Sequence, residues 1–173
     1  GVQTCALPIS TLCVAGVALF VAGLIIGSRG TPAAAQGRNV LRLNHVQITV
    51  PNLDAAVNYY TKVMGFQVGF KLPTPADGRP ATTFVQINRD TFLEIVQAPP
   101  NGPTGITHIG LQTDDLPATV AQIRANGGTA PDAGPFNGIG SRIASVIDPT
   151  GIRLEINEQP AGSVMRKAMD SWK

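Results

Sequence analysis

The feature that most limits what this chain can fold into is a repeat. "LNHVQITV" (43–50) and "THIGLQT" (107–113) share one plan: a histidine enters a short apolar run, a glutamine follows two or four residues on, and a turn rich in Asp and Asn comes next. These are the only two histidines in the sequence. Around each of them the chain has the same order of elements. Short alternating runs bounded by Pro, Gly, Asn and Asp read as strands, and one stretch in each half has helical periodicity.

The first half is expected to hold a strand at 41–50, a helix at 53–64 and strands near 66–72, 81–88 and 90–97. The second is expected to hold a strand at 106–113, a helix at 115–126, a short strand near 129 and strands at 141–147 and 152–158. Asn52 and Asp114 are placed to cap the two helices, and Asp54 and Asp115 join them as helix-start residues. Leu53, Val57 and Tyr60, and in the second half Leu116, Val120 and Ile123, recur at spacings of three and four. Gly65 and Gly127 suit left-handed C-caps, while "NRD" (88–90) and "DPTG" (148–151) suit tight turns.

Side chains on a strand alternate faces, so parity decides which polar residues share a side. Val46, Ile48 and Val50 oppose His45, Gln47 and Thr49; Leu93 and Ile95 oppose Phe92, Glu94 and Val96. In the second half Ile109 and Leu111 oppose His108, Gly110 and Gln112, and Ile152, Leu154 and Ile156 oppose Arg153, Glu155 and Asn157. His45, Glu94, His108 and Glu155 therefore all lie on the side away from the helices. Two imidazoles and two carboxylates on one concave face suit a divalent cation of the Zn, Ni, Co, Fe or Mn kind. Without a cation, two buried carboxylates repel and one is driven toward protonation. The third glutamate, Glu158, reads as surface. Gln47, Phe84, Phe92 and Gln112 are candidates to line the cup, and Arg142 and Arg153 to bind substrate. "PPNGPTG" and "DAGPFNGIG" read either as lids or as connectors.

Composition narrows the class. The 13 basic and 11 acidic residues are dispersed, with no basic run to follow a phosphate backbone, which excludes nucleic acid as a partner. Ser10 to Gly27 is apolar, uncharged and as long as a membrane span, and Ala33–Ala35 behind it has the small-residue character of a signal cleavage site. Export is expected, to the periplasm or the exterior, by a cleaved signal; Arg29 equally suits the flank of a retained membrane anchor. Residues 1–9, "GVQTCALPI", match the translation of a sequencing adapter and are expected to be non-native. Cys5 and Cys13 both fall in this leader, leaving the folded part without disulfides or thiolate ligands. The expected organisation is a leader at 1–36, a domain at 37–160 with modules at about 41–98 and 106–158, and a tail at 161–173. The tail's "SVMRKAMDSW" is expected to pack on the outside or on a partner.

"LNHVQITVPNLDAAVNYYTKVMGFQVGF", "TFLEIVQA", "ITHIGLQTDDLPATVAQIRANGG" and "IDPTGIRLEI" resemble the vicinal oxygen chelate superfamily, over residues 41–158. Its members include glyoxalase I, extradiol dioxygenases, methylmalonyl-CoA epimerase, fosfomycin-resistance proteins and metal-free bleomycin-binding proteins. The resemblance implies an α+β fold of tandem βαβββ modules, a curved mixed sheet forming a cup with helices outside, as a possible homodimer. It places His45, Glu94, His108 and Glu155 at the four metal-ligand positions of glyoxalase I. It also implies a small substrate with vicinal oxygens, an enediolate-like intermediate, Glu155 as the proton-shuttling base and Glu94 as its counterpart. Two alternatives stand beside this lyase or isomerase: an extradiol-type Fe(II) dioxygenase using His45, His108 and Glu155 alone, and a non-catalytic binding or resistance module.

Overall fold

Alternation along one strand separates two differently packed faces, and the whole architecture follows from it. The computed structural model describes residues 40–72 and 80–173. In order these form β1 (Arg42–Val50), α1 (Leu53–Asn58) running into a π-helical turn (Tyr59–Val63), β2 (Gln67–Leu72), β3 (Thr82–Asn88), β4 (Thr91–Gln97), β5 (Gly105–Thr113), α2 (Leu116–Ala125), β6 (Arg142–Ile147), β7 (Arg153–Glu158) and α3 (Val164–Asp170). The expected leader, with the apolar run at Ser10–Gly27, Arg29 and Ala33–Ala35, lies outside the described residues.

The strands make one mixed sheet in the order β2-β3-β4-β1-β5-β7-β6. Within each half the outer pairings are antiparallel, while β1 with β4 and β5 with β7 run parallel. The halves meet where β1 pairs antiparallel with β5, so the two modules join within one chain. That seam carries two irregularities. Leu43 pairs with Leu111 and His45 with Gly110, which leaves Asn44 extra on β1; Gln47 pairs with His108 and Ile48 with Ile106, which leaves Thr107 extra on β5. Each bulge falls on the residue immediately before a histidine. A bulge re-aims the side chains beside it and strengthens local twist, and here it does so twice, symmetrically.

On the convex face, α1 covers Val46, Ile48, Val50, Val85, Leu93 and Ile95 through Leu53, Val57 and Tyr60. The second module repeats this with Leu111, Ala144, Leu154 and Ile156 under Leu116, Val120 and Ile123. Asn52 caps α1 by accepting from the Ala55 amide, and Gly65 and Gly127 close the two helices at φ of 76° and 86°, as the spacing predicts.

Several local readings are corrected. Asp115 caps α2, accepting from the Ala118 amide at 2.9 Å, because Asp114 is engaged by both terminal nitrogens of Arg42. Glu158 is no free surface group: its Oε2 accepts the Leu116 amide at 3.0 Å and ties β7 to the start of α2. The strand expected near 129 does not form. Residues 126–141 instead run irregularly, anchored by Ala130 in the core and by Arg124, which donates to the Ala130 carbonyl. The tail is corrected too. Met165, Ala168 and Met169 of α3 pack on Phe84 and Phe92, which face away from α1, so this helix lies on the concave side rather than outside.

Candidate metal centre

The two bulges bring both histidines to the seam at the bottom of the concave face. Nε2 of His45 lies 2.8 Å from Nε2 of His108, and both side chains are only 2% exposed. Glu94, on the strand beside β1, puts Oε2 at 3.4 Å from the His45 nitrogen and 3.6 Å from that of His108. Glu155, on the strand beside β5, straddles the pair with one oxygen 3.8 Å from each. The ligand atoms of His45, Glu94 and His108 form the tighter set, all within 4.8 Å of one another. Glu155 stands further off because Arg153 holds its Oε2 at 3.2 Å.

Ligands about 2.1 Å from a cation at tetrahedral or octahedral angles lie roughly 3.0–3.4 Å apart, so the inner spacings fit a shared divalent ion with small adjustments. The ionisation states fit as well. Burial pushes the imidazolium of His45 down to about 3, helped by His108 and Arg153, and that of His108 down to about 4, with Arg153 contributing. Both rings are thus neutral near pH 7, the charge state a metal ligand needs, although His108 must shift its proton from Nε2 to Nδ1 to offer a lone pair to an ion. Burial lifts the Glu94 carboxyl to about 7, opposed by a hydrogen bond from Gln47 and reinforced by Glu155. Burial raises Glu155 too, against the pull of Arg153. Two desolvated carboxylates aimed at one point are the arrangement a cation relieves.

A second ring of contacts orients the ligands. Asn44 Nδ2 donates to Gln112 Oε1 at 3.1 Å, which turns Asn44 Oδ1 toward Nδ1 of His45 at 2.8 Å. The proton of His45 is thereby held on Nδ1 and the lone pair of Nε2 faces the centre. The equivalent position in the other half, Thr107, bonds Gln47 instead. Nδ1 of His108 is met at 3.0 Å by Nη2 of Arg153, a group that can only donate. Beneath His45, Gly110 leaves no side chain on β5, and a methyl group added there would overlap the imidazole ring.

Of the expected cup-lining residues, Gln47, Phe84 and Arg153 border the cavity around these donors, a space of about 170 Å³. Phe92 does not: it is fully buried beneath α3, beside Phe84 and Met169. Gln112 does not either, since it is buried against Asn44. Arg142 turns away, donating to the Gly134 carbonyl and lying over Phe136. The loop "DAGPFNGIG" sends Asn137 and Ile139 to the cavity wall, with Ser141, Gln159 and Met165 nearby, residues that parity alone did not single out. "PPNGPTG" borders a larger cleft of about 550 Å³ whose lining, Pro51 and residues from Gln97 to Thr104, holds no ionisable group. Of these two spaces, the smaller is the one lined by ionisable side chains.

Comparison with known proteins bears on the family and the fold. Residues 42–156 match the Glyoxalase/Bleomycin resistance protein/Dioxygenase superfamily. A lactoylglutathione lyase of Shigella flexneri is 30% identical over 131 residues, 70% of this chain and 96% of that protein. A 2-epi-5-epi-valiolone epimerase of Actinomyces is 27% identical over 164 residues, 78% of this chain and 85% of that one. The solved structure of Streptomyces coelicolor methylmalonyl-CoA epimerase in complex with 2-nitronate-propionyl-CoA is similar at a TM-score of 0.59 and 25% identity, covering 70% of this chain and 96% of that chain.

Proposed function

The chain belongs to the Glyoxalase/Bleomycin resistance protein/Dioxygenase superfamily, and from that premise we propose that it is a metal-dependent lyase or isomerase that moves a proton between neighbouring carbons of a small substrate with vicinal oxygens. Its relatives include lyases and epimerases. The observation that carries the reading is the second carboxylate: Glu94 points at the same two imidazole nitrogens as Glu155, from the opposite module.

His45, Glu94 and His108 would hold the ion, with Glu155 as the more loosely placed fourth donor. A divalent cation bound there supplies Lewis acidity toward adjacent oxygens, lowering the cost of negative charge that develops on them. Glu155 takes the proton from one carbon and returns it to the next. Its raised pKa makes it a stronger base than an exposed carboxylate, and its distance from the imidazoles leaves an oxygen free. Glu94 is the counterpart on the other side. Asn44 and Gly110 keep His45 in place. The apolar run at Ser10–Gly27 supports export as part of the same proposal.

An Fe(II) dioxygenase needs three ligands, and a buried Glu94 aimed at the centre favours the four-donor reading over it. The test is elemental analysis of protein purified without added metal, beside His45→Ala/His108→Ala, followed by proton NMR of candidate substrates in deuterium oxide. One ion per chain, lost in the variant, with metal-dependent exchange of a carbon-bound proton, is the expected result. Ligand binding that survives metal removal would establish a sequestering module instead.

A further inference from the structure

The family match ends at residue 156, and α3 begins at Val164, beyond it. This helix occupies the concave face of the first module, where Met165, Ala168 and Met169 fill the space over Phe84 and Phe92. It is fastened to both halves of the cup. Its first amide, of Val164, donates to the Ile139 carbonyl at 2.9 Å, and Gln159 accepts from the Ser141 and Ser163 hydroxyls at 2.6 and 3.2 Å. On the other module Gln86 donates to the Ala168 carbonyl at 3.2 Å. Met165 forms part of the wall around the donors.

Two consequences follow for the occupant of the cavity. Its volume, about 170 Å³, is well below the roughly 300–1,000 Å³ usual for small-molecule sites. Its charge is unbalanced: a divalent cation and the Arg153 guanidinium face only Glu94 and Glu155, leaving one unit of positive charge. Arg153 is the one cationic side chain among the described residues lining the space; with its Nη2 engaged by His108 and Glu155, its Nη1 and Nε remain to donate charge-assisted hydrogen bonds to a carboxylate.

Resting on the metal-centred function above, we infer that α3 is a substrate-selecting wall: it confines the site to a compact substrate whose vicinal oxygens are accompanied by one carboxylate, held by Arg153, and it shuts out substrates carried on a large thiol or coenzyme.

The test uses the Co(II)-loaded protein and three hydroxamates, each offering two adjacent oxygens: acetohydroxamate, the monohydroxamate of succinate, and a hydroxamate linked to glutathione. Binding is read by calorimetry and by the visible Co(II) spectrum. The succinate compound is expected to bind at least about tenfold more tightly than acetohydroxamate, and the glutathione-linked probe to leave the spectrum unchanged. Arg153→Met should erase the carboxylate advantage while acetohydroxamate still binds. Met165→Ala, which thins the wall but keeps the helix, should admit the glutathione-linked probe. The inference is overturned if the unaltered protein takes the large probe as readily as the small ones, if Met165→Ala still rejects it, or if the carboxylate preference survives in Arg153→Met. Failure of the protein to bind Co(II) at all, seen before any probe is added, would instead remove the metal-centred function and this inference with it.

Discussion

The imidazole of His45 lies against Gly110 of the neighbouring strand, occupying the space that any β-carbon there would take. This contact across the module seam sets one ligand's position by the absence of a side chain opposite it. Gly110→Ala is therefore expected to push the ring off the centre and to weaken metal binding by more than about a hundredfold, some 2.7 kcal/mol. Competition against a chromophoric chelator measures this. Circular dichroism should show the sheet retained, because the convex core under α2 is untouched.

Asn44 acts on the same ring from its other edge. Replacing it with leucine, similar in size but unable to accept a hydrogen bond, frees the His45 tautomer and leaves Gln112 unpartnered. Metal affinity should fall about ten- to hundredfold. Retained affinity in Asn44→Leu would show that packing alone orients the ring.

Proton competition should give metal binding a defined pH dependence. The Glu94 carboxyl, raised to about 7, is mostly protonated below that pH, and an incoming cation must displace its proton. The logarithm of apparent affinity should therefore rise by about one unit per pH unit below about 7 and level off above it. His45 and His108, at about 3 and 4, add nothing to the slope in that range. Titrations between pH 5.5 and 8 read this directly, and Glu94→Gln should flatten the profile.

Arg153 opposes the ion that its neighbours attract. Its guanidinium adds positive charge beside the centre and donates to Nδ1 of His108, whose neutral ring then carries its proton on Nε2, facing His45. Arg153→Met should raise metal affinity about tenfold, by calorimetry.

Glu155 should separate chemistry from binding. With His45, Glu94 and His108 intact, Glu155→Gln is expected to keep its metal yet to lose about 10²- to 10⁴-fold in the rate of carbon-proton exchange. Oxygen-dependent ring opening of a catechol by Glu94→Ala would point to the dioxygenase branch instead.

Much of this site was legible in the sequence because it obeys strand parity. His45, Glu94, His108 and Glu155 sit mid-strand in a duplicated unit, and alternation alone puts all four on one face. Asn44 escaped because parity sends it to the opposite face; only the bulge, a register property between two strands, turns it back to its neighbour. Gln112 has the parity of a cup residue but lies far enough along β5 to meet Asn44 instead. Phe92 is on the predicted face, yet α3 covers it, and a short amphipathic tail carries no sign of which surface it will cover. Asp114 and Asp115 were equally good caps by type, and Arg42, 72 residues away, decided between them.

The join between β1 and β5 also bears on how the molecule is made. A chain emerging from the ribosome completes its first module with the β1 edge bare, and the strand that covers it arrives only with the second. Two nascent copies meeting in that interval can exchange halves, each closing the other's cup with the same pairing and the same set of donors. Dilute, slow synthesis would then favour self-closed single chains, and crowded polysomes interlocked pairs.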